Sequence, residues 1–186
     1  KFEVEMHNLY ARGNAIFAFM LWVLTAVTAG CFLTTVFLDY NCPVELDASE
    51  IKIRKVSDYA SDSGYSDLAN FEFTIKADVS SLFNWNVKQL FFYLVAEYTT
   101  PSNAVNQVVI WDQIVLRSNH VVLNERISKP KYYFLDDGNN FRNLDNVTFV
   151  LRYNVIPNAG YLRLAQASGQ IQVDFPAEYT AGRGRA

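Results

Sequence analysis

One unbroken stretch of 24 uncharged, mostly apolar residues limits what this chain can fold into. It runs from Ala15 to Leu38 and reads AIFAFMLWVLTAVTAGCFLTTVFL. A helix rises about 1.5 Å per residue, so this stretch reaches roughly 36 Å and can cross a hydrocarbon core of ~30 Å with some tilt. A cleaved signal peptide has an apolar part of only about 7–15 residues, and a buried core helix rarely lacks a polar face over such a length. We therefore predict an uncleaved membrane-spanning helix over residues 15–38.

The charges that flank this stretch predict its direction. Arg12 precedes it, whereas Asp39 and further acidic residues follow, and the first cation beyond it is Lys52. Positive residues stay on the cytoplasmic side of a membrane. We expect residues 1–14 to form a short cytoplasmic N-terminus and everything after Leu38 to be lumenal or extracellular.

Small residues mark one stripe of the predicted helix. Ala26 and Gly30 are four residues apart, and Thr25 and Thr28 lie close to them. Small side chains at this spacing let another helix approach closely, and hydroxyl groups can form hydrogen bonds between helices. We predict that a partner helix packs against Thr25, Ala26 and Gly30.

The remainder of the chain divides into three parts. Residues 39–50 are interpreted as a tether next to the membrane, residues 51–179 as one domain, and residues 180–186 as a disordered tail. Met6 is a plausible native start, so residues 1–5 are either native or added, and the same alternative holds for the final AGRGRA of residues 181–186.

Alternating apolar and polar residues indicate strands throughout the predicted domain. Two further segments, Val87–Tyr98 and Val108–Leu116, are more continuously apolar, which is typical of central strands. Helix is the competing interpretation for Val87–Tyr98. The predicted strands are Ile51–Arg54, Phe71–Val79, Val87–Tyr98, Val108–Leu116, Lys131–Leu135, Val147–Val155 and Ile171–Phe175. Seven or eight strands at this spacing predict a mainly β protein with an antiparallel, sandwich-like domain after one N-terminal transmembrane helix. The Ser- and Asp-rich segment Tyr59–Leu68 is predicted to be a mobile loop.

No catalytic constellation stands out in the predicted domain. His120 is its one histidine, so a histidine-based metal cluster is excluded. A Ser-His-Asp triad would have to combine His120 with residues such as Ser118 and Asp112, but no nucleophile elbow is present and His120 lies in a polar turn sequence. No particular Ser–Lys pair stands out either. We predict no catalytic residue, no metal site and no cofactor.

Two other features have structural explanations that we prefer. The run Asp136–Asn139 lacks the ligand spacing of a calcium loop and suits a turn with left-handed dihedral angles. Trp85 and Trp111 lie in or beside apolar strands, so we expect both to pack in the core rather than to bind a ligand.

Three sequence features concern the environment of the domain. Asn146-Val147-Thr148 is the one Asn-x-Ser/Thr sequon, on the side that the charges assign to the lumen, so we predict glycosylation of Asn146. Cys31 and Cys42 would lie roughly 16 Å apart on a largely helical segment, too far for a disulfide. The formal net charge of -3 provides no basic field for nucleic acid.

Several long blocks, in one order along the chain, carry a family resemblance. They are Arg12–Ala15, Gly30–Thr35, Asn84–Phe91, Asn106–Asp112, Phe134–Asn139, Tyr153–Gly160 and the sequon at Asn146. These blocks resemble the family of subunit 3 of the eukaryotic signal peptidase complex, and the resemblance covers about Met6 to Tyr179. Residues 59–68 and those before Met6 show no distinctive match.

The resemblance implies a single-span type II glycoprotein of the endoplasmic reticulum membrane with its C-terminal domain in the lumen. It also implies a signal-anchored accessory subunit without a catalytic serine, which supports a serine peptidase subunit in signal peptide processing. The implied partners are that catalytic subunit, the other small membrane subunits and membrane lipid, with the translocon as a further candidate. Two rival hypotheses remain open at this point: an extracellular adhesion or receptor module, and a membrane-anchored hydrolase.

Overall fold

A computed structural model of the chain describes residues 8–117 and 121–180. Helix α1 spans Leu9–Thr35 and begins at Asn8, whose side chain accepts a hydrogen bond from the backbone N–H of Tyr10 at 3.2 Å. This N-cap explains why the helix starts six residues before the apolar stretch. Its apolar side chains point outward in every direction, so the helix has no polar face. This is typical of a helix surrounded by lipid.

Eight strands follow the helix in the described residues. They are β1 Val44–Ser57, β2 Tyr65–Asp78, β3 Val87–Tyr98, β4 Asn106–Leu116, β5 Val122–Ile127, β6 Phe134–Asp136, β7 Val147–Pro157 and β8 Arg163–Val173. A short 3₁₀ turn, Ser80–Leu82, lies between β2 and β3.

The strands form two antiparallel four-stranded sheets, and this arrangement confirms the predicted antiparallel, sandwich-like domain. The first has the order β1-β2-β5, and β6 pairs with another part of β2; the second has the order β4-β3-β7-β8. A bridge between Pro43 and Ser168 brings the start of β1 beside β8. Gly169 permits this approach, because a Cβ there would lie 2.2 Å from the carbonyl oxygen of Val44. The domain is therefore a β-sandwich whose two sheets meet along one edge.

Aromatic side chains fill the space between the sheets. Phe71 of β2 stacks on Phe149 of β7 with ring centroids 4.8 Å apart, which joins the two layers directly. Phe134, Phe141 and Phe175 form a second group of buried rings at the end of the sandwich far from the helix. Aromatic burial of this extent stabilises the domain without a disulfide.

The prediction for residues 59–68 was wrong in part. Strand β2 already begins at Tyr65, and Ser66 and Asp67 are fully buried. Both polar side chains have partners: the Ser66 hydroxyl donates to Asp58 at 2.6 Å, and an Asp67 carboxylate oxygen accepts from the hydroxyl of Tyr179 at 2.8 Å. A polar segment can therefore be a buried strand when each polar group is satisfied.

The segment predicted as a tether is also shorter than expected. Strand β1 begins at Val44 rather than near residue 51, and helix α1 ends at Thr35 rather than at residue 38. Eight residues, 36–43, therefore connect the helix to the first sheet. The tail predicted over residues 180–186 begins within the described part of the chain, where the backbone N–H of Thr180 donates to the carbonyl of Ile53 at 2.8 Å. Residues 1–5 and 181–186 lie outside the described residues.

Candidate functional site

The C-terminal end of α1 packs against one end of the sandwich. Three segments meet the helix there: the connection 36–43, the β2–β3 loop and the β7–β8 loop. We call this contact region the junction. Its polar centre is Asn86, whose side chain is buried, with 2% of the residue exposed.

Asn86 bonds to the helix and to the β7–β8 loop at the same time. Its side-chain amide donates to the hydroxyl of Thr35 at 2.9 Å and to the carbonyl of Ala159 at 2.8 Å. Its side-chain oxygen accepts from the N–H of Ala159 at 3.0 Å and from the thiol of Cys31 at 3.6 Å. One amide side chain thus joins segments that are 51 and 73 residues away in sequence.

Arg163, the first residue of β8, satisfies the end of the helix. Its guanidinium donates to the carbonyl oxygens of Val36 at 3.1 Å and Leu38 at 2.8 Å, and lies 5.3 Å from the ring centroid of Tyr40. The last turn of α1 contains no basic residue of its own. A cation near the C-terminal carbonyls of a helix is favourable. Arg163 of β8 supplies this cation in place of a basic residue in the helix.

Aromatic packing completes the junction. The rings of Phe32 and Tyr161 meet edge to face with centroids 5.8 Å apart. Gly160 lies beneath Phe32 with φ +117, and a Cβ there would be 2.7 Å from the Phe32 ring. A cavity of ≈ 30 Å³ remains between these groups. Side-chain bonds, ring contacts and a close backbone approach therefore hold α1 and the sandwich in one arrangement.

A second candidate surface lies on the outer face of the β4-β3-β7-β8 sheet. The strand register places Ile114, Phe91, Asn154 and Leu164 in one row across all four strands. Phe91 and Tyr93 stack with centroids 5.6 Å apart, and Ile114 is more than half exposed. We call the face around these residues the outer face. Three of the four residues in this row are apolar, which is more than the scattered apolar residues of an ordinary surface.

Polar groups at the outer face differ in how well they are satisfied. The Asp112 carboxylate accepts from Lys131 and from the Tyr132 hydroxyl, each at 2.6 Å. The hydrogen bonds from Lys131 and Tyr132 lower the pKa of Asp112 below its usual range. The side-chain oxygen of Asn154 is buried and lacks a partner within the described ranges. A buried acceptor of this kind is costly unless another group reaches it.

The predicted helix-packing residues lie on the exposed surface of α1. The hydroxyl of Thr25 donates to the carbonyl of Leu21 within its own helix at 2.8 Å, and the position of Gly30 is open, since a Cβ there would meet nothing within 4 Å. Ala26 lies on the same exposed helix. The packing of a partner helix on these residues stays a prediction.

Asn146 lies at the end of the sandwich far from the helix. It is exposed with φ 67, its side-chain oxygen accepts from Gln172, and its backbone N–H donates to Asp174 at 3.3 Å. The side-chain nitrogen, to which a glycan would attach, takes no part in these contacts. Its glycosylation stays a prediction.

The groups weighed for catalysis or metal binding have other roles where the structure describes them. Asp112 belongs to the cluster with Lys131 and Tyr132, and Ser118 and His120 lie outside the described residues. In residues 8–117 and 121–180, no group of three or more His, Cys, Asp or Glu side chains could hold a metal ion.

The turn interpretation of Asp136–Asn139 is confirmed. Asp136 ends β6, and its carboxylate accepts from the N–H of Asn140 at 2.9 Å and from the hydroxyl of Tyr98 at 3.2 Å. Asn139 adopts the left-handed region with φ 53.

The two cysteines are free thiols, as expected. The Cys42 thiol is buried and donates to the carbonyl of Asp78 at 3.3 Å. Burial, and secondarily the charge of Asp78, raise the pKa of this thiol.

The two tryptophans of the predicted domain differ in their exposure. Trp111 is 7% exposed and meets Phe73 edge to face, so its predicted role in the core is confirmed. The same prediction was wrong for Trp85, which is 56% exposed. Trp85 lies in the loop before β3, and its carbonyl accepts a hydrogen bond from the guanidinium of Arg117 at 3.0 Å. Its neighbour Asn86 takes the buried position instead.

Few features of the sequence indicate the junction residues. Asn86 and Arg163 are a single amide and a single cation in loops or at strand ends, and nothing in their spacing points to residue 35. The one available signal was the block Asn84–Phe91, in which two asparagines come directly before an apolar strand. Asn84 also contributes, since its amide donates to the hydroxyl of Tyr40 at 2.8 Å.

These features define a class of membrane protein: an antiparallel β-sandwich fixed to the end of one apolar helix that is long enough to span a bilayer. Comparison with known proteins places the chain more narrowly. Residues 6–178 match the family described as Signal peptidase subunit. The chain belongs to this family.

Curated relatives agree over almost their whole length. A Caenorhabditis elegans protein named signal peptidase complex subunit 3 is 61% identical over 178 residues, covering 96% of this chain and 99% of the relative. The human protein of the same name is 48% identical over 174 residues, covering 94% and 97%. A mouse protein named adipocyte-related X-chromosome expressed sequence 1 is 49% identical with the same coverage.

Proposed function

We propose that this chain is a non-catalytic structural subunit of the signal peptidase complex in the endoplasmic reticulum membrane. In this role it supports the catalytic serine peptidase subunit while signal peptides are removed from nascent proteins. The observation that carries the proposal is the junction, which holds a rigid sandwich at a set position relative to a membrane helix. The names of the relatives support a place in that complex.

A fixed junction suits the chemistry of a peptidase that acts at a membrane surface. The catalytic groups of such an enzyme must stay at one height above the bilayer, because the cleavage site of each substrate emerges from the membrane there. Holding reacting groups in the correct geometry lowers an activation barrier by several kcal/mol, and small misplacements are costly. A subunit with a swivelling domain could not contribute in this way.

The outer face is the surface that we assign to the catalytic subunit. Its apolar row and the buried oxygen of Asn154 would gain packing and a hydrogen bond from a partner. We assign Thr25, Ala26 and Gly30 to contacts with the helices of the other small membrane subunits. The translocon is a further candidate partner of the assembled complex.

Co-purification tests this proposal. Membranes solubilised in mild detergent should yield the tagged chain in stoichiometric amounts with a serine peptidase, and the eluted complex should cleave a signal peptide. The purified chain alone should not cleave it. Cleavage by the isolated polypeptide, or recovery without any peptidase, would overturn the proposal.

Substitution of Ile114 tests the outer face. Ile114→Glu places a carboxylate at the β4 end of the row Ile114, Phe91, Asn154 and Leu164, and should reduce recovery of the catalytic subunit several-fold, with the sandwich still folded. Val122→Glu is the matched control, because Val122 is similarly exposed but lies on β5 of the other sheet. Equal recovery with both variants would contradict the assignment.

Asn146 tests the proposed lumenal orientation. The chain from cells should shift in mobility after endoglycosidase H treatment, since its glycan would stay in the immature form of the endoplasmic reticulum. Asn146→Gln should abolish this shift, whereas Asn124→Gln should not. A wild-type chain without a glycan, whose sandwich is digested by protease added to intact microsomes, would place the domain in the cytosol.

A further inference from the structure

The sandwich presents exposed apolar side chains at the same end that binds the helix. We call these residues the membrane-proximal edge. They are between 42% and 86% exposed, and they come from the connection after α1, the β2–β3 loop and the β7–β8 loop: Phe37, Leu38, Trp85, Tyr161 and Leu162. None of them belongs to the outer face, so the surface assigned to the catalytic subunit does not account for their exposure.

The length of α1 fixes the depth of this edge in the bilayer. Arg12 is the charged residue of the helix, and it is expected to lie at one membrane surface. A hydrocarbon core of ~30 Å corresponds to about 20 helical residues. Counted from Arg12, the opposite hydrocarbon boundary therefore falls at about Phe32 in an upright helix and slightly later in a tilted one.

The sandwich binds the helix at that boundary and not above it. Asn86 accepts from the thiol of Cys31, and the ring of Tyr161 packs against Phe32. The loops that carry Trp85, Tyr161 and Leu162 must therefore lie at the depth of the lipid headgroups and the first acyl carbons. The membrane-proximal edge is thus continuous with the lipid-facing surface of the helix.

The composition of the edge fits this depth. Trp and Tyr favour the membrane–water interface, where the apolar part of the ring enters the acyl region and the polar atom stays hydrated. Two cationic side chains, Arg117 and Arg163, lie at the same end and bond to the carbonyls of Trp85 and Leu38. Arginine at such a position can also approach lipid phosphates.

We propose that the membrane-proximal edge inserts into the interfacial layer of the bilayer, so that the sandwich has a second attachment to the lipid surface besides α1. This attachment restricts tilting of the domain about the end of the helix. The inference requires only that α1 spans the membrane. It is independent of the signal peptidase role and of which side the domain faces.

Tryptophan fluorescence of the full chain in phosphatidylcholine vesicles tests this attachment. The Trp22→Phe variant leaves Trp85 in the edge and Trp111 in the core. A second variant, Trp22→Phe with Trp85→Phe, gives the background from Trp111. A third adds Tyr59→Trp to that background and places an indole on the fully exposed loop after β1, roughly 40 Å from the helix by strand length.

Lipids brominated near the start of the acyl chain should quench the Trp85 contribution several-fold more than the contribution of the indole at position 59. Aqueous iodide should quench the two in the reverse order. The core emission of Trp111 should be the same in all variants, which confirms folding. Equal bromolipid quenching at positions 85 and 59 would overturn the proposal, and would indicate that a protein partner rather than lipid covers the edge in the complex. Because no peptidase activity is measured, failure here leaves the proposed function untouched.

Discussion

Asn86 combines four contacts in one side chain and connects the helix to two loops of the sandwich. Its two main partners, Thr35 and Ala159, could not be inferred from the sequence, because long stretches of chain separate them from Asn86. The same holds for Arg163, which bonds to carbonyls at positions 36 and 38. Short-range pattern locates strands and turns, whereas these contacts exist only after the sheets have assembled. The junction therefore had to be found in the structure.

Gly160→Ala should destabilise the junction. The added Cβ would approach the ring of Phe32 to 2.7 Å, and φ +117 disfavours any side chain at this position. We expect a loss of about 1–3 kcal/mol in the free energy of unfolding, measured by denaturant titration in detergent. Gly13→Ala is the control, because a Cβ at Gly13 meets nothing within 4 Å. An unchanged unfolding midpoint for Gly160→Ala would contradict the close approach.

Cys42 should make the stability of the sandwich depend on alkaline pH. Burial raises the pKa of its thiol, so the folded domain keeps the proton at pH values where the unfolded chain, with a thiol pKa of about 8.5, has lost it. The protonated thiol therefore contributes its full stabilisation of the folded domain below about pH 8.5, and this stabilisation is lost as the pH rises through the pKa of the folded state.

The unfolding free energy measured from pH 7 to pH 10 should therefore fall more steeply for the wild type than for Cys42→Ala. Burial, and secondarily the charge of Cys42, raises the pKa of Tyr153 to about 12. The stabilisation from this tyrosine is lost only above the usual tyrosine pKa of about 10, beyond the measured pH range. Parallel pH profiles would contradict the assignment to Cys42.

At the scale of elements, periodicity predicted strands well where one face is apolar. The predicted strand Val87–Tyr98 has the same bounds as β3. The prediction succeeded there because the inward-facing residues alternate along the strand and the outer face is apolar as well. Strand β5 was missed, because Leu123 is its one buried residue and Asn124–Arg126 face solvent. Strand β8 was predicted only at its end for a similar reason, and Phe175, expected in it, packs in the core beyond it. Edge strands carry too few buried side chains to give a pattern.

The space between the two sheets and the outer face of the second sheet should respond differently to truncation. Phe71→Ala removes a ring that stacks on Phe149 between the sheets, and should lower the unfolding free energy by about 3–5 kcal/mol. Phe91→Ala changes the outer face, where the ring is only partly buried, and should cost clearly less. Denaturant midpoints of the purified variants provide the comparison. A Phe91→Ala protein as unstable as Phe71→Ala would mean that the outer face is part of the folding core.

At the scale of the whole molecule, the apolar stretch and the strand periodicities predicted a helix followed by a sandwich, and the structure confirms this architecture. The sequence did not predict that the two parts are joined rigidly. Residues 39–50 were interpreted as a short tether, whereas residues 36–43 connect the helix to β1, and Asn86, Arg163 and the ring of Phe32 hold this connection against the sandwich. These contacts support the proposed role of a structural subunit.

The cleavage rate of an assembled complex with a loosened junction tests this account most directly. Thr35→Val combined with Asn86→Ala removes the central hydrogen bonds, and faster proteolysis of the connection 36–43 verifies the loosening. We expect kcat/KM for a signal peptide substrate to fall by about 10-fold or more, because the geometry at the active site is no longer fixed. Asn124→Ala with Arg126→Ala, two exposed positions on β5, should retain the wild-type rate. If the double variant should fail to assemble, Arg163→Ala serves in its place. A wild-type rate from an intact complex with a demonstrably loosened junction would contradict the account.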